Sequence, residues 1–289
     1  MNPYCLPIER CIRKITEMLL LQCTLVDCPG LIHGKLGIAI FFFHYAHYTG
    51  NGLFEDYAID LIDEMQSQLH NNSPADYETG LAGIGVGMDY LISNCFLSVE
   101  NDFFGDLDKR MYRAVIYDTW QDLSFYDGLT GYGQYWMMRL RQQTSLKPAQ
   151  KCISHIVTQI EEKFPDIPAN EQYDVYCFLH GLHQQMSDFS LCSTLLKQCR
   201  KWNLPSSDIS RCFPRLGDSS IAKIIRKYHC SRYFNIALQD KIDIAMNHIS
   251  DLDMEKPPAN MGLLTGYAGE GLLRLTMLHQ TNLLWMNLL

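Results

Sequence analysis

The chain has 289 residues, of which 47% are hydrophobic and 19% charged, with a formal net charge of −8. This balance is typical of a globular protein and argues against disorder. The acidic charge, without any Lys/Arg-rich run, argues against a nucleic-acid or membrane partner. The most apolar segment, which begins at Leu36, is too short to span a bilayer. Eleven cysteines without a disulfide-like spacing indicate free thiols and a cytoplasmic location.

Helices are the only elements that the hydrophobic pattern predicts along the chain. The segment from Ile8 to Leu21 is expected to form an outer helix covering the first of a series of helix pairs. The segment 52–70 places one apolar face on a helix, and segments beginning at Leu146 and Asn235 have a similar pattern. No alternating run is long enough for a sheet, so we expect an all-α fold.

A Gly-x-x-Gly element followed by an apolar run recurs about every 46 residues. The leading glycines are Gly34, Gly80, Gly128, Gly181, Gly217 and Gly266. In the fourth and fifth copies the second glycine is replaced by Gln184 and Ser220. The repeat predicts about six helical hairpins. Each has a buried inner helix and an outer helix that carries a single apolar stripe.

The repeat has two further consequences. The last copy is fully apolar, which favours a closed ring in which it meets the first copy, since open solenoids end in polar caps. A leading glycine provides either positive φ or close backbone approach, and the second lets neighbouring inner helices pack tightly. Inner-helix N-termini that converge at one end would favour an anionic group.

The runs GLIHGKLGIAIFFFHYAHYTGN, GLAGIG and GLLTGYAGEGLL resemble the lanthionine synthetase C-like (LanC-like) family. The resemblance covers the whole chain and implies a single α/α toroid domain over residues 1–289. Members of that family are typically zinc enzymes that cyclise peptides. In them a cysteine thiolate adds to a dehydrated Ser or Thr and forms a thioether ring.

The family's zinc has two Cys ligands and one His ligand, and the chain departs from that pattern. Arg215 occupies the position of the first Cys, and no Cys-His-Gly segment follows. His229 and Cys230 are adjacent but in the reverse order, and Ser124 replaces a family Asp. The resemblance therefore predicts a degenerate member without metal or other cofactor; zinc would be the cofactor only if the metal site is rearranged.

Four residues are candidates for a functional site. His180, with Gly181, matches the family's His-Gly pair and is the candidate catalytic residue. Arg215 is a candidate binding residue, because an inward guanidinium can hold a carboxylate or phosphate in a bidentate manner. Asp127 and Asp218 each neighbour a leading glycine, and both can line the same entrance to a central cavity. A simpler interpretation is that an Asp at a helix N-terminus interacts favourably with the helix dipole.

Three functions follow from these residues. The leading one is a zinc-less protein of a peptide-modification pathway that binds the peptide or a partner modification enzyme. The alternative is an active thioether-forming cyclase or thiol-addition enzyme, with Cys177, His180 and His183 as a rearranged metal set. At ~100° per residue a helix would spread those three over a third of a turn. The third function is an α/α-barrel glycosidase with Asp127 and Asp218 as paired carboxylates.

Overall fold

All the secondary structure in the described part of the chain is helical, so the all-α prediction is confirmed there. The computed structural model describes residues 5–98, 103–118, 122–142, 146–186, 190–202, 204, 224–225, 228, 260–279 and 283–289. Its α-helices are α1 (Cys5–Gln22), α2 (Lys35–Thr49), α3 (Leu53–Ser67), α4 (Leu81–Ser93), α5 (Phe104–Ile116), α6 (Leu129–Arg141), α7 (Leu146–Lys163), α8 (Ala169–Gln185), α9 (Ser190–Cys199) and α10 (Tyr267–His279). Among these described helices none is both long and apolar enough to cross a bilayer.

The chain divides into two compact units. The first comprises residues 1–73, 93–96 and 215–289, and the second comprises residues 74–92 and 97–214. The single toroid domain over residues 1–289 stays a prediction.

The helices are of two kinds, as the hydrophobic pattern predicts. In α2 every residue from Lys35 to Phe43 is buried, and α4 and α6 are buried nearly as completely. By contrast, α3 buries a single stripe of Ala58, Leu61, Ile62 and Met65. Consecutive helices pack as hairpins, α2 with α3, α6 with α7 and α8 with α9, because each striped helix covers apolar surface that its buried neighbour would otherwise expose.

The two ends of the chain meet within the first unit. Helix α10 packs against both α1 and α2, so the last repeat lies beside the first. We expected α1 to cover the first repeat, but it packs mainly against α10. The N-terminal helix is therefore the outer partner of the last inner helix.

One backbone hydrogen bond recurs between neighbouring repeats. The donor is the backbone N–H of the residue three positions before a leading glycine. The acceptor is the backbone carbonyl of the residue two positions before the leading glycine of the adjacent repeat. This bond joins Tyr77 to Tyr126 over 2.9 Å in the second unit. It joins Leu263 to Ile32 over 2.7 Å in the first unit. The last repeat thus contacts the first in the same way as the second repeat contacts the third.

Four leading glycines stand immediately before a helix, namely Gly34, Gly80, Gly128 and Gly266. Close backbone approach, not positive φ, explains them. Gly128 has an extended backbone with φ −107°, and a Cβ there would lie 2.6 Å from the Asp122 carbonyl oxygen. Gly181 is different, because it lies inside α8, where a Cβ would meet only the Met137 side chain at 3.7 Å or more. The fourth repeat was therefore placed wrongly, and Gly217 lies outside the described residues.

In three repeats, the glycine five positions after the leading glycine packs against an aromatic ring of the neighbouring repeat. The pairs of glycine and ring are Gly85 with Tyr135, Gly133 with Phe178, and Gly271 with Phe41. A side chain at any of these glycines would overlap the ring. These glycines therefore set how closely adjacent inner helices pack. The sequence analysis expected this role of the second glycine of each repeat, whereas the structure gives it to the glycine two positions further on.

Candidate functional site

A groove of about 500 Å³ lies between α8 and α9 in the second unit. Its lining residues are Tyr176, His180, His183, Ser193, Leu196, Lys197 and Arg200. It contains His180, the candidate catalytic residue of the sequence analysis. We therefore take it as the candidate functional site, which we call the α8–α9 groove.

Helical spacing brings these side chains together. On α8, His180 and His183 lie four and seven positions after Tyr176, so the three share one face of the helix. On α9, Leu196 and Lys197 lie three and four positions after Ser193 and likewise share one face. Other positions of α8 hold the helix in place. Phe178 packs against Gly133 of α6, and the buried Cys192 thiol donates to the Leu179 carbonyl over 3.1 Å. The backbone beneath the groove is thus fixed by packing on both sides.

The groove is lined by cations and hydrogen-bonding groups. Lys197 and Arg200 supply its positive charges, and the hydroxyl of Ser193 lies 3.3 Å from Nδ1 of His183. The ring centroids of Tyr176 and His180 are 5.8 Å apart.

The phenol of Tyr176 stays protonated at neutral pH. Burial raises its pKa, the neighbouring thiols of Cys177 and Cys199 add to that effect, and the positive charge of Arg200 opposes it. The phenol can therefore donate a hydrogen bond into the groove, with a guanidinium close by.

The structure separates His180 from Asp127. Helices α6 and α8 run side by side, and Gly181, which follows His180, lies beside Met137 of α6. Asp127 precedes α6, ten residues before Met137, which corresponds to about 15 Å of helix axis. Accordingly, Asp127 is not among the residues that line the α8–α9 groove. Arg215 and Asp218 lie outside the described residues, so their binding roles, and the glycosidase pairing of Asp127 with Asp218, stay predictions.

The loop that leads into α6 uses carboxylates of the chain itself. Glu171 accepts a hydrogen bond from the Leu123 N–H over 3.0 Å, and Asp174 accepts one from the Phe125 N–H over 2.9 Å. We expected helix N-termini to favour an anionic ligand. At this end of α6 the anionic groups are instead the protein's own side chains.

Asp127 belongs to this acidic end. Burial raises the pKa of Tyr132, and the negative charges of Asp76, Asp118, Asp127 and Asp122 raise it further. Burial also raises the pKa of Glu171, although the hydrogen bond from Leu123 opposes that shift. An anionic ligand would be repelled here, so the α8–α9 groove is the more favourable place for one.

The described residues do not fit the zinc site that the family resemblance implies. In the described part of the chain no group of three His, Cys, Asp or Glu side chains could hold a metal ion. His180 and His183 line the α8–α9 groove, but Cys177 is not among its lining residues. The other candidate ligands of the sequence analysis, His229 and Cys230, lie outside the described residues.

Several of the described cysteines are buried thiols and poor nucleophiles. Burial raises the pKa of Cys152 to about 12, of Cys192 to about 11 and of Cys199 to about 12. The thiol of Cys95 is exposed. Since the thiolate is the reactive form, the buried thiols near the groove are not suited to addition chemistry.

We expect brief alkylation of the folded protein at pH 8 to modify Cys95 and to spare Cys152, Cys192 and Cys199. At that pH each buried thiol is protonated to more than about 99.9%. Peptide mass spectrometry after a short iodoacetamide pulse measures this, with the urea-unfolded chain as the control in which all react. Rapid modification of Cys192 in the folded state would contradict the assignment.

Sequence reasoning missed five residues of the groove, namely Tyr176, Ser193, Leu196, Lys197 and Arg200. They belong to no repeated motif, and α9 alone looks like an ordinary amphipathic helix with a basic end. The available signal was spacing, because Tyr176 lies four residues before His180 and seven before His183.

Comparison with known proteins adds no relative. No protein-family model matches the chain, and no curated protein matches it.

Proposed function

We propose that the chain is a LanC-like α/α toroid that acts in the cytoplasm by binding a peptide, or the enzyme that modifies it. The observation that carries the toroid is the recurring hydrogen bond between repeats. It links the last repeat to the first, Leu263 to Ile32, in the same manner as Tyr77 to Tyr126. An open solenoid gives its terminal repeats no reason to form that bond.

The α8–α9 groove favours binding over thioether formation. Thioether formation requires the cysteine of the peptide itself as a thiolate, which family members activate with zinc. In the groove, the positive charges of Lys197 and Arg200 lie beside His180 and His183 and repel a metal cation there. The groove instead presents His180 beside cations and hydroxyl groups. Such side chains hold a polar or anionic segment without reacting with it.

The test uses the purified full-length chain with a fluorescent dehydrated peptide that contains one cysteine. We expect saturable binding by fluorescence anisotropy and no loss of peptide thiol, with or without added Zn²⁺. His180→Gln should weaken binding several-fold, whereas His155→Gln on α7 should not. Thiol consumption with turnover would show a cyclase and overturn the proposal. The proposal would also be overturned if the chain bound neither the peptide nor a partner modification enzyme.

A further inference from the structure

The two cations of the α8–α9 groove have no carboxylate partner within the described part of the chain. Neither Lys197 nor Arg200 takes part in an ion pair there, and none of the described residues that line the groove is Asp or Glu. The groove is thus locally positive in a chain whose net charge is −8. Positive potential of this kind concentrates anions, because the field is not cancelled locally.

Helix stability accounts for only part of this arrangement. Cations in the last turn of α9 and just beyond it offset the partial negative charge of the helix C-terminus, which explains Lys197 and Arg200 individually. It does not explain why α8 presents Tyr176, His180 and His183 to the same groove. The facing donors indicate that the groove serves a ligand.

The donors suit an oxyanion with several acceptor oxygens. A guanidinium can bind two oxygens at once, and an ammonium adds a point charge. The Ser193 hydroxyl lies 3.3 Å from Nδ1 of His183. When that hydroxyl donates to Nδ1, the ring carries its proton on Nε2, which is then a hydrogen-bond donor. Two formal positive charges match a dianion better than a monoanion.

We infer that the α8–α9 groove binds a phosphate monoester, with Arg200 and Lys197 as the charged ligands and His183 and Tyr176 as further donors. The groove, at about 500 Å³, is larger than a phosphate group alone. It therefore has room for the group that carries the phosphate, either a phosphorylated side chain of a peptide or a small phosphorylated molecule. This inference goes beyond the proposed function and does not depend on the toroid.

Isothermal titration calorimetry of the full-length chain at low ionic strength tests the inference. The probes are inorganic phosphate, phosphoserine, and a short phosphoserine peptide beside its unphosphorylated form. We expect phosphate to bind with a Kd in the millimolar range or below, and acetate to bind more weakly. A phosphopeptide that binds more tightly than phosphoserine assigns the site to a peptide ligand. Equal affinities assign it to a small phosphorylated molecule.

Substitutions distinguish a built site from diffuse surface charge. Lys197→Ala and Arg200→Ala should each raise the Kd for phosphate by about tenfold, as expected for a charge-assisted hydrogen bond. Lys201→Ala is the matched control, because Lys201 lies in the same short turn (Arg200–Trp202) and is exposed, but does not line the groove. It should change the Kd by less than about twofold, since an exposed charge outside the site contributes little.

Two results would overturn the inference. One is that phosphate binds no more tightly than about 10 mM. The other is that Lys201→Ala weakens binding as much as Lys197→Ala and Arg200→Ala, which would show only nonspecific attraction. Because all three positions are exposed, we expect each variant to fold, with only a small loss of stability from the helix C-terminus, and melting curves verify this. Failure here would leave the peptide-binding test of the proposed function unaffected, so the two can be judged separately.

Discussion

Replacing Arg139 by alanine is expected to destabilise the folded chain by about 3–5 kcal/mol. The Arg139 side chain is only 5% exposed. Its Nε and Nη2 atoms donate to the two carboxylate oxygens of Asp108 over 2.9 and 2.8 Å. The Tyr135 hydroxyl donates to the same carboxylate over 2.7 Å, and the guanidinium lies 4.4 Å from the centroid of the Phe104 ring. Without Arg139, a carboxylate whose side chain is only 12% exposed loses its cation.

Urea unfolding followed by circular dichroism measures this loss. Arg113→Ala is the matched control, because Arg113 is an exposed arginine in the last turn of α5, and we expect it to cost less than about 0.5 kcal/mol. The double variant Arg139→Met with Asp108→Leu should be less destabilised than the sum of its single variants, since no charge is left unpaired. Equal effects of Arg139→Ala and Arg113→Ala would show that the ion pair does not stabilise the fold.

The second large effect concerns Gly131, the second glycine of the third repeat. A Cβ at this position would overlap the carbonyl oxygen of Phe125 and lie 2.8 Å from Cβ of Tyr77. A backbone carbonyl cannot rotate away as a side chain can. We therefore expect Gly131→Ala to destabilise the protein by about 1–3 kcal/mol, even though alanine favours the helix by up to about 1 kcal/mol over glycine.

Gly181→Ala is the control, and we expect the opposite sign. Gly181 lies inside α8, and its Cβ would make ordinary contacts with Met137, the nearest at 3.7 Å. Alanine there should stabilise the chain by about 0.5–1 kcal/mol, because it restricts the unfolded state without a clash. Thermal and urea unfolding of both variants provide the measurement. A loss of stability at Gly181 comparable to that at Gly131 would restore the fourth repeat as the sequence analysis placed it.

The misplaced fourth repeat shows where local pattern fails. The residues around Gly181 resemble those of the other repeats. However, α8 begins at Ala169, directly after Pro168, and not after Gly181. The other leading glycines are set by loop backbone that folds back against them, as Asp122 does against Gly128. No such backbone lies against Gly181. The residues Gly-Leu-His by themselves do not show whether a loop folds back against the glycine.

The candidate site was predictable only in part for a related reason. His180 was singled out through a resemblance, and the structure does place it in a groove. Its partner Lys197 comes from α9 and its partner Arg200 from the short turn that follows, and α9 meets α8 through contacts such as that of Cys192 with Leu179. A pairing between helices depends on both surfaces at once, so the sequence of either helix alone does not reveal it.

Periodicity by itself determined the helical class, the alternation of buried and striped helices, and the glycines that precede four of the helices. These features follow from local rules, because the position of a side chain around a helix is set by its spacing along the chain. Only the tertiary structure decided that α1 packs mainly against α10 rather than the first repeat, and that the cations of α9 and of the turn after it face the histidines of α8. Those arrangements depend on which apolar surfaces are buried together, and that choice is made by the whole chain in competition with every alternative pairing.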